Sequence, residues 1–126
     1  MAPLSDISKK IRIAVKPNYH GEREDAYIFS YTIRITNHSE SAIQLLRRKW
    51  LVRDILSETR EVEGEGVIGE TPILEPNGEF EYTSWCPTQS PFGHMQGSYT
   101  FMNIVSGEEF EVDIPPFNLN VTYALN

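Results

Sequence analysis

The motif with the clearest chemical meaning in this sequence is Gly64-x-Gly66-x-x-Gly69, which matches the glycine pattern of dinucleotide-binding turns. In such sites glycines let the backbone approach a pyrophosphate, and a following helix supplies amide donors. Here Pro72 and Pro76 prevent a helix from continuing. The eight glutamates between positions 58 and 81 would also repel a pyrophosphate. We therefore predict a surface turn and no bound cofactor, with pyrophosphate binding as the alternative.

The glutamates of the same segment could support a second kind of chemistry. Glu61, Glu63 and Glu65 would share one face of a strand, and carboxylate oxygens are the ligands that Mg²⁺ and Ca²⁺ prefer. The spacing of an EF-hand is missing, however, and exposed carboxylates also protect a sheet edge from aggregation. We predict an exposed edge without a specific metal, with a divalent-cation site as the alternative.

Cys86 and His94 could form a nucleophile and a general base. Neither residue follows the glycine pattern of a nucleophile elbow. Zinc would need two further ligands, and His20 and His38 lie in distant parts of the sequence. We therefore predict that the protein is not an enzyme and has neither catalytic residues nor a metal centre here.

The segment from Ser84 to Tyr99 contains no charged residue, although 23% of the chain is charged. Within it, Trp85, Phe92, His94 and Met95 offer the large side chains that are typical of protein interfaces. We predict a loop that binds an unidentified protein partner through these four residues. The alternative is a crossover between two sheets whose glycines are required by its geometry.

The elements that must position these residues are predicted by alternation. Every second residue is apolar from Ile11 to Val15 and from Tyr27 to Ile35, as in strands with one buried face. The stretch from Ile43 to Val52 alternates only if a bulge shifts its register, and a helix is the alternative there. A short strand is predicted over Thr59–Glu63.

Three later stretches also alternate, and turn signals separate them. They run from Phe80 to Ser84, from Ser98 to Val105 and from Phe110 to Ile114. We predict a hairpin turn at Ser106-Gly107, and we expect Pro115-Pro116 to end the last strand. About seven strands without an amphipathic helix predict an all-β antiparallel sandwich.

Length and charge limit the other possibilities. The 126 residues suit a single domain, 1–126, with frayed ends at about 1–8 and 118–126. Acidic residues outnumber basic ones 18 to 11, which argues against nucleic-acid and membrane partners. No apolar run is longer than the four residues from Ala26 to Phe29, and the N-terminus lacks a signal-peptide pattern. With one cysteine, Cys86, we expect a cytoplasmic protein without disulfides.

The order of these motifs resembles the bacterial ApaG family. The segments that carry the resemblance are Gln44–Trp50, Glu61–Gly69, Tyr82–Ser84, Pro91–Tyr99 and Ile114–Phe117. The resemblance implies a fibronectin-III-like or immunoglobulin-like β-sandwich and a link to cobalt resistance and magnesium efflux. Related domains in some F-box proteins look like partner-binding modules, and the family offers no established catalytic residues.

Two positions depart from the family pattern. The turn Asp54–Glu58 replaces an Asn/Gly-rich turn, and Trp85 stands where glycine is common.

The function predicted from the motifs and the resemblance is a non-enzymatic interaction module of unknown oligomeric state. The alternative is a protein that binds a divalent cation or pyrophosphate weakly through the glutamate-rich glycine segment.

Overall fold

The computed structural model describes residues 7–122 of the chain. Its strands are β1 (Ile11–Arg23), β2 (Ala26–Asn37), β3 (Ile43–Asp54), β4 (Arg60–Glu65), β5 (Ile73–Leu74), β6 (Glu79–Thr88), β7 (Phe92–Asn103) and β8 (Glu109–Asn120). Because β5 has only two residues, the prediction of about seven strands is confirmed.

The strands form two antiparallel sheets that pack as a β-sandwich. The three-stranded sheet has the order β1-β2-β6, and the five-stranded sheet has the order β4-β3-β7-β8 with β5 also paired to β3. The edges of the first sheet are therefore β1 and β6, and β4 and β8 are the outer strands of the second. Across residues 7–122, no helix is long and apolar enough to span a membrane.

Strand β2 has the alternation that its sequence predicts. Phe29, Ile33 and Ile35 are completely buried, and Tyr31 is nearly so, because they face the opposite sheet. Burial of such side chains is the main favourable term in folding. The central strand of the smaller sheet thus supplies one wall of the core.

Strand β3 contains the predicted shift of register, and the helix alternative is wrong. The irregularity lies between Leu45 and Arg47 in the pairing with β7. Before it, Ile43 and Leu45 are buried, whereas after it the buried residues are Trp50, Val52 and Asp54. A bulge moves the buried face from odd to even positions, because successive side chains point to opposite sides of a strand.

Trp50 connects the two sheets at the centre of the sandwich. Its ring centroid lies 5.3 Å from that of Tyr31 on β2 and 5.9 Å from that of Phe117 on β8. Its indole packs against Gly97, where an added Cβ would lie 2.9 Å from the ring and 2.2 Å from the Lys49 carbonyl oxygen. A glycine is required at this position by the close approach of backbone and indole.

The segment from Ser84 to Tyr99 is not the loop that we predicted. Its first residues belong to β6 and its last to β7, and only residues 89–91 connect the two strands. Met95 is buried in the core and is not presented to a partner. The segment lacks charge partly because several of its residues, such as Cys86 and Met95, face the core, whereas others, such as Trp85, are exposed.

Two predictions about the ends of elements are also wrong. Pro115 and Pro116 do not end the last strand, since β8 continues to Asn120 with Leu119 fully buried. The predicted fraying therefore does not begin at Asn118, and at the other end Ile7 contributes to the core. The rest of the predicted frayed ends, residues 1–6 and 123–126, lies outside the described residues.

We expect Trp50→Ala to lower the free energy of unfolding by about 3–5 kcal/mol, because it removes a large side chain from a packed core. Trp85→Ala is the matched control, since Trp85 is 60% exposed and surface substitutions usually change stability by about 0.5 kcal/mol. Urea unfolding followed by circular dichroism measures both variants. Equal losses would contradict the central role of Trp50.

Candidate functional site

The glycine motif forms a tight turn after β4. Val67 and Glu70 exchange both backbone hydrogen bonds, at 2.8 and 2.9 Å. Between them Ile68 has φ 44° and Gly69 has φ 78°, which is typical of a two-residue hairpin turn. Gly66 also has positive φ, and a Cβ there would lie 2.2 Å from the Glu70 carbonyl oxygen. The predicted turn with positive φ is present.

Polar groups of the motif are engaged within the protein. The amide of Gly66 donates to the carbonyl of Leu46 at 2.7 Å. Arg48 Nη1 donates to the carbonyl oxygens of Glu65 and Gly66 at 3.0 and 2.9 Å. The guanidinium lies over Gly64, where a Cβ would be 2.8 Å from its nitrogens. The motif therefore binds the Arg48 guanidinium through backbone carbonyls. Residue 64 is a glycine because a Cβ there would collide with this guanidinium.

The three candidate glutamates lie on β4 as predicted, opposite basic and apolar residues of β3. Glu63 pairs with Lys49 in the strand register, and their charged atoms are 3.7 Å apart. Both side chains are more than 60% exposed, so this ion pair stabilises the fold little. Residues 7–122 contain no group of three or more His, Cys, Asp or Glu side chains that could hold a metal ion.

The four predicted partner-binding residues are not brought together. Trp85 stacks near His20, with ring centroids 4.6 Å apart, on the three-stranded sheet. Phe92 and His94 lie on the other sheet, and Met95 is buried between the sheets. The structure therefore leaves Phe92 and His94 as neighbours on one surface and separates Trp85 from them.

Phe92 and His94 line a groove of about 340 Å³ at one end of the sandwich. Arg53 and Ile55 line it as well, and no acidic residue does. Phe92 is 47% exposed and Ile55 70% exposed. His94 Nδ1 lies 3.0 Å from the Asn118 carboxamide oxygen. The groove thus combines apolar surface with a positive charge.

Asp54 holds the two turns beside this groove and was missed in the sequence. Its carboxylate accepts hydrogen bonds from the Gln89 amide at 2.6 Å and from the Ser90 hydroxyl. Burial alone would raise the pKa of Asp54, but hydrogen bonds from Ser90, Gln89 and Leu56 lower it overall. The charged carboxylate therefore fixes the start of the β3–β4 turn against the β6–β7 turn. An Asp at the end of an apolar strand was the only available signal.

Cys86 and His94 do not form a nucleophile and base pair. Cys86 is buried, and its sulfur lies 3.8 Å from Arg60 Nη2, whereas His94 contacts Asn118. Burial raises the pKa of the Cys86 thiol more than the nearby arginine lowers it. Since the thiolate is the reactive form, a protonated buried thiol is a poor nucleophile.

We expect Gly66→Ala to lower stability by more than about 1 kcal/mol, because it combines positive φ with a backbone clash. Gly69→Asn is the matched control, since asparagine tolerates positive φ and nothing lies within 4 Å of its Cβ position.

Titration of the wild type with ATP or NAD is expected to show no saturable binding below about 10 µM. Tight binding that Gly66→Ala abolishes would contradict the structural role of the turn.

We expect Mg²⁺ and Co²⁺ to bind β4 only weakly and without a defined stoichiometry. Carboxylates on one strand face are about 7 Å apart, whereas Mg²⁺ requires near-octahedral oxygen ligands. Calorimetry at physiological salt measures this for the wild type and Glu63→Gln, with Glu40→Gln as the control because Glu40 is exposed between β2 and β3. A one-to-one site that only Glu63→Gln removes would overturn the expectation.

Comparisons with known proteins agree with this architecture. The family model described as the ApaG domain matches residues 17–103. Proteins named ApaG from Rhodopseudomonas palustris strain TIE-1 and Shewanella sediminis are 44% and 41% identical over 118 and 122 residues. The alignments cover 90% and 94% of this chain and 90% and 96% of those proteins.

Solved structures are similar over the same region. A crystal structure of a Bordetella pertussis protein named ApaA is 38% identical, with a TM-score of 0.82 over 87% of this chain and 92% of that one. An Archaeoglobus fulgidus protein that is 6% identical has a TM-score of 0.54 over 85% of this chain and 94% of that one, which is a likeness of fold alone. From the family match and the identities above 40%, the chain belongs to the ApaG family.

Proposed function

We propose that this protein is a non-enzymatic interaction module that binds a protein partner in the groove beside Phe92. The observation that carries the proposal is the exposure of Phe92 next to Ile55 at the end of a rigid sandwich. Leu56, in the same turn as Ile55, is also mostly exposed. Large apolar side chains grouped on a surface are typical of interaction sites, and aromatic anchors dominate binding energy in such sites.

The charge of the groove defines the chemistry of the partner. Arg53 lines the groove and acidic side chains do not, although the chain as a whole carries a formal charge of −7. We propose that the partner offers a segment with an apolar side chain beside a carboxylate. The apolar side chain would pack on Phe92 and Ile55, and the carboxylate would pair with Arg53. Complementary charge of this kind favours specificity and the rate of association.

Rigidity of the groove supports the same proposal. The carboxylate of Asp54 ties the turn that carries Ile55 to the turn that precedes Phe92. A surface that is ordered before binding loses less conformational entropy when the partner arrives. The groove can therefore bind without a large rearrangement.

The link to cobalt resistance and magnesium efflux enters this proposal as an indirect effect. We propose that the protein acts on metal homeostasis through its partner and does not hold the metal ion itself. The pairing of Glu63 with Lys49 supports this, because it partly neutralises the row of glutamates on β4. We also propose a cytoplasmic location, in keeping with the free cysteine at Cys86.

The decisive variant is Phe92→Ala, with Val105→Ala as the matched control because Val105 is exposed in the turn between β7 and β8. Each protein is immobilised and exposed to native lysate, and retained proteins are identified by mass spectrometry. A protein that the wild type and Val105→Ala retain but Phe92→Ala loses is then purified and titrated. We expect Phe92→Ala to weaken its affinity by about 1–2 kcal/mol with little change in stability.

Arg53→Glu tests the charge of the same groove. We expect it to weaken the affinity for the purified partner at least as much as Phe92→Ala does. Thermal unfolding of every variant separates loss of binding from loss of fold. A partner that binds the wild type, Phe92→Ala and Val105→Ala equally would place the interaction elsewhere and contradict the proposal.

A further inference from the structure

A second cavity opens between the two sheets, at the side where the edge strands β4 and β6 approach each other. Its volume is about 190 Å³. Arg60 on β4 donates from Nη2 to the carbonyl oxygen of Pro87 on β6 at 3.2 Å, which joins the two strands at this point. The cavity is distinct from the groove beside Phe92, because the two have no lining residue in common.

The charged side chains that line the cavity are two arginines, and no carboxylate accompanies them. Both arginines stand at inward positions of the five-stranded sheet. Arg48 lies on the same side of β3 as the buried Trp50, and Arg60 is the register partner of the buried Val52. In a chain with a formal charge of −7, this is a concentration of positive charge.

The nearest acidic groups are engaged elsewhere or face away. Glu61, Glu63 and Glu65 alternate with the inward positions of β4, so they point to the outer face of the sheet. Asp54 lies close enough to Arg60 to interact electrostatically, but it does not line the cavity, and its single negative charge faces two guanidinium groups. The arginines therefore keep a net positive field in the cavity.

One buried polar donor that lines the cavity has no partner. Trp50 is 3% exposed, and its Nε1 is buried with no hydrogen-bond partner in the described part of the chain. A buried donor that stays unpaired destabilises the folded state, and such groups in native proteins call for an explanation. The hydroxyl-bearing residues Tyr31 and Ser84 line the same space.

We propose that this cavity binds a small organic anion whose oxygens pair with Arg48 and Arg60 and accept a hydrogen bond from Trp50 Nε1. Each guanidinium has five N–H donors in a planar fork that suits a carboxylate or a phosphate. The bonds that the arginines make to backbone carbonyls leave donors for such a ligand. The apolar part of the ligand packs against the aromatic and aliphatic residues between the sheets.

The volume limits the size of the ligand. Since a water molecule occupies about 30 Å³ in the liquid, a cavity of about 190 Å³ has room for roughly six waters. A nucleotide is too large, whereas a single ring or short chain with one anionic group fits. The anion is therefore a short carboxylate or a phosphate monoester, and the two sources of the same oxyanion chemistry are separated by experiment.

The test uses benzoate, phenyl phosphate and inorganic phosphate as probes of the full chain. Trp50 lines the cavity, so intrinsic fluorescence reports its occupation, and calorimetry checks the affinity and measures any variant that lacks Trp50. We expect saturable binding of benzoate or phenyl phosphate at low salt. Arg60→Gln is expected to weaken it at least about tenfold, whereas the control Arg23→Gln, exposed and outside both the cavity and the groove beside Phe92, changes it less than about twofold.

Two further variants separate the roles of the donors. Trp50→Phe keeps an aromatic ring but removes the indole N–H, and is expected to weaken binding. Arg48→Gln is also expected to weaken binding. If Arg48→Gln unfolds the protein, Arg60→Gln still tests the site, because Arg60 is exposed. Preference for benzoate assigns the site to carboxylates, and preference for phenyl phosphate assigns it to phosphate monoesters. Binding of inorganic phosphate alone contradicts an organic ligand.

Two further results would each overturn the inference. One is the absence of saturable binding of any probe up to about 10 mM. The other is binding that Arg60→Gln and Arg23→Gln weaken equally, because the anion would then respond to overall charge and not to the cavity. Neither result bears on the groove beside Phe92, where Phe92→Ala is the informative variant.

Discussion

The packing of the Trp50 indole against the bare backbone of Gly97 is the contact on which the rest of the structure depends. A Cβ at position 97 would collide with the Lys49 carbonyl oxygen at 2.2 Å, so β3 and β7 can pair here only because that position is a glycine. The indole then reaches Tyr31 on the opposite sheet. The indole therefore fills the space between the sheets and also lines the cavity at the β4–β6 side.

Buried polar groups fasten the sandwich where aromatic packing does not reach. The hydroxyls of Tyr82 and Tyr99 hydrogen-bond across the two sheets. Burial raises the pKa of both phenols, so they stay protonated and able to donate at physiological pH. At one end Asn37 donates to the carbonyls of Ser41 and Leu74. Removing one member of such a pair would leave its partner buried and unsatisfied, which is costly.

The sequence was sufficient to predict strands and their buried faces where one face of a strand is buried and the other is polar. The alternation from Tyr27 to Ile35 predicted both the strand and its buried face, and the irregular pattern of β3 predicted the bulge. The turn at the glycine motif was also predicted, because two prolines follow it. These elements follow from local rules, since side-chain period and backbone conformation are set within a few residues.

The same rules failed where prolines and glycines lie in strands. Pro115 was expected to end the last strand, but it lies on the edge strand β8, where a missing amide donor is tolerated. Under the crossover alternative the glycines of the 84–99 segment served a loop, whereas Gly97 lies in β7 and admits the indole of Trp50 from β3. Contacts between residues far apart in the chain decide these positions, and one sequence does not contain that information. For the same reason the sequence did not predict that Ile55 and Arg53 lie beside Phe92.

The bulge in β3 links the core to the distribution of charge. Past the irregularity between Leu45 and Arg47, even positions face inward, so the shift that buries Trp50 also turns Arg48 toward the space between the sheets. Arg47 and Lys49 are left on the outer face, where they form ion pairs with Glu109 and Glu63. Without the shift, the outer glutamates would face Arg48, and Trp50 would be in water. One inserted residue therefore gives an acidic chain an interior cavity with positive charge.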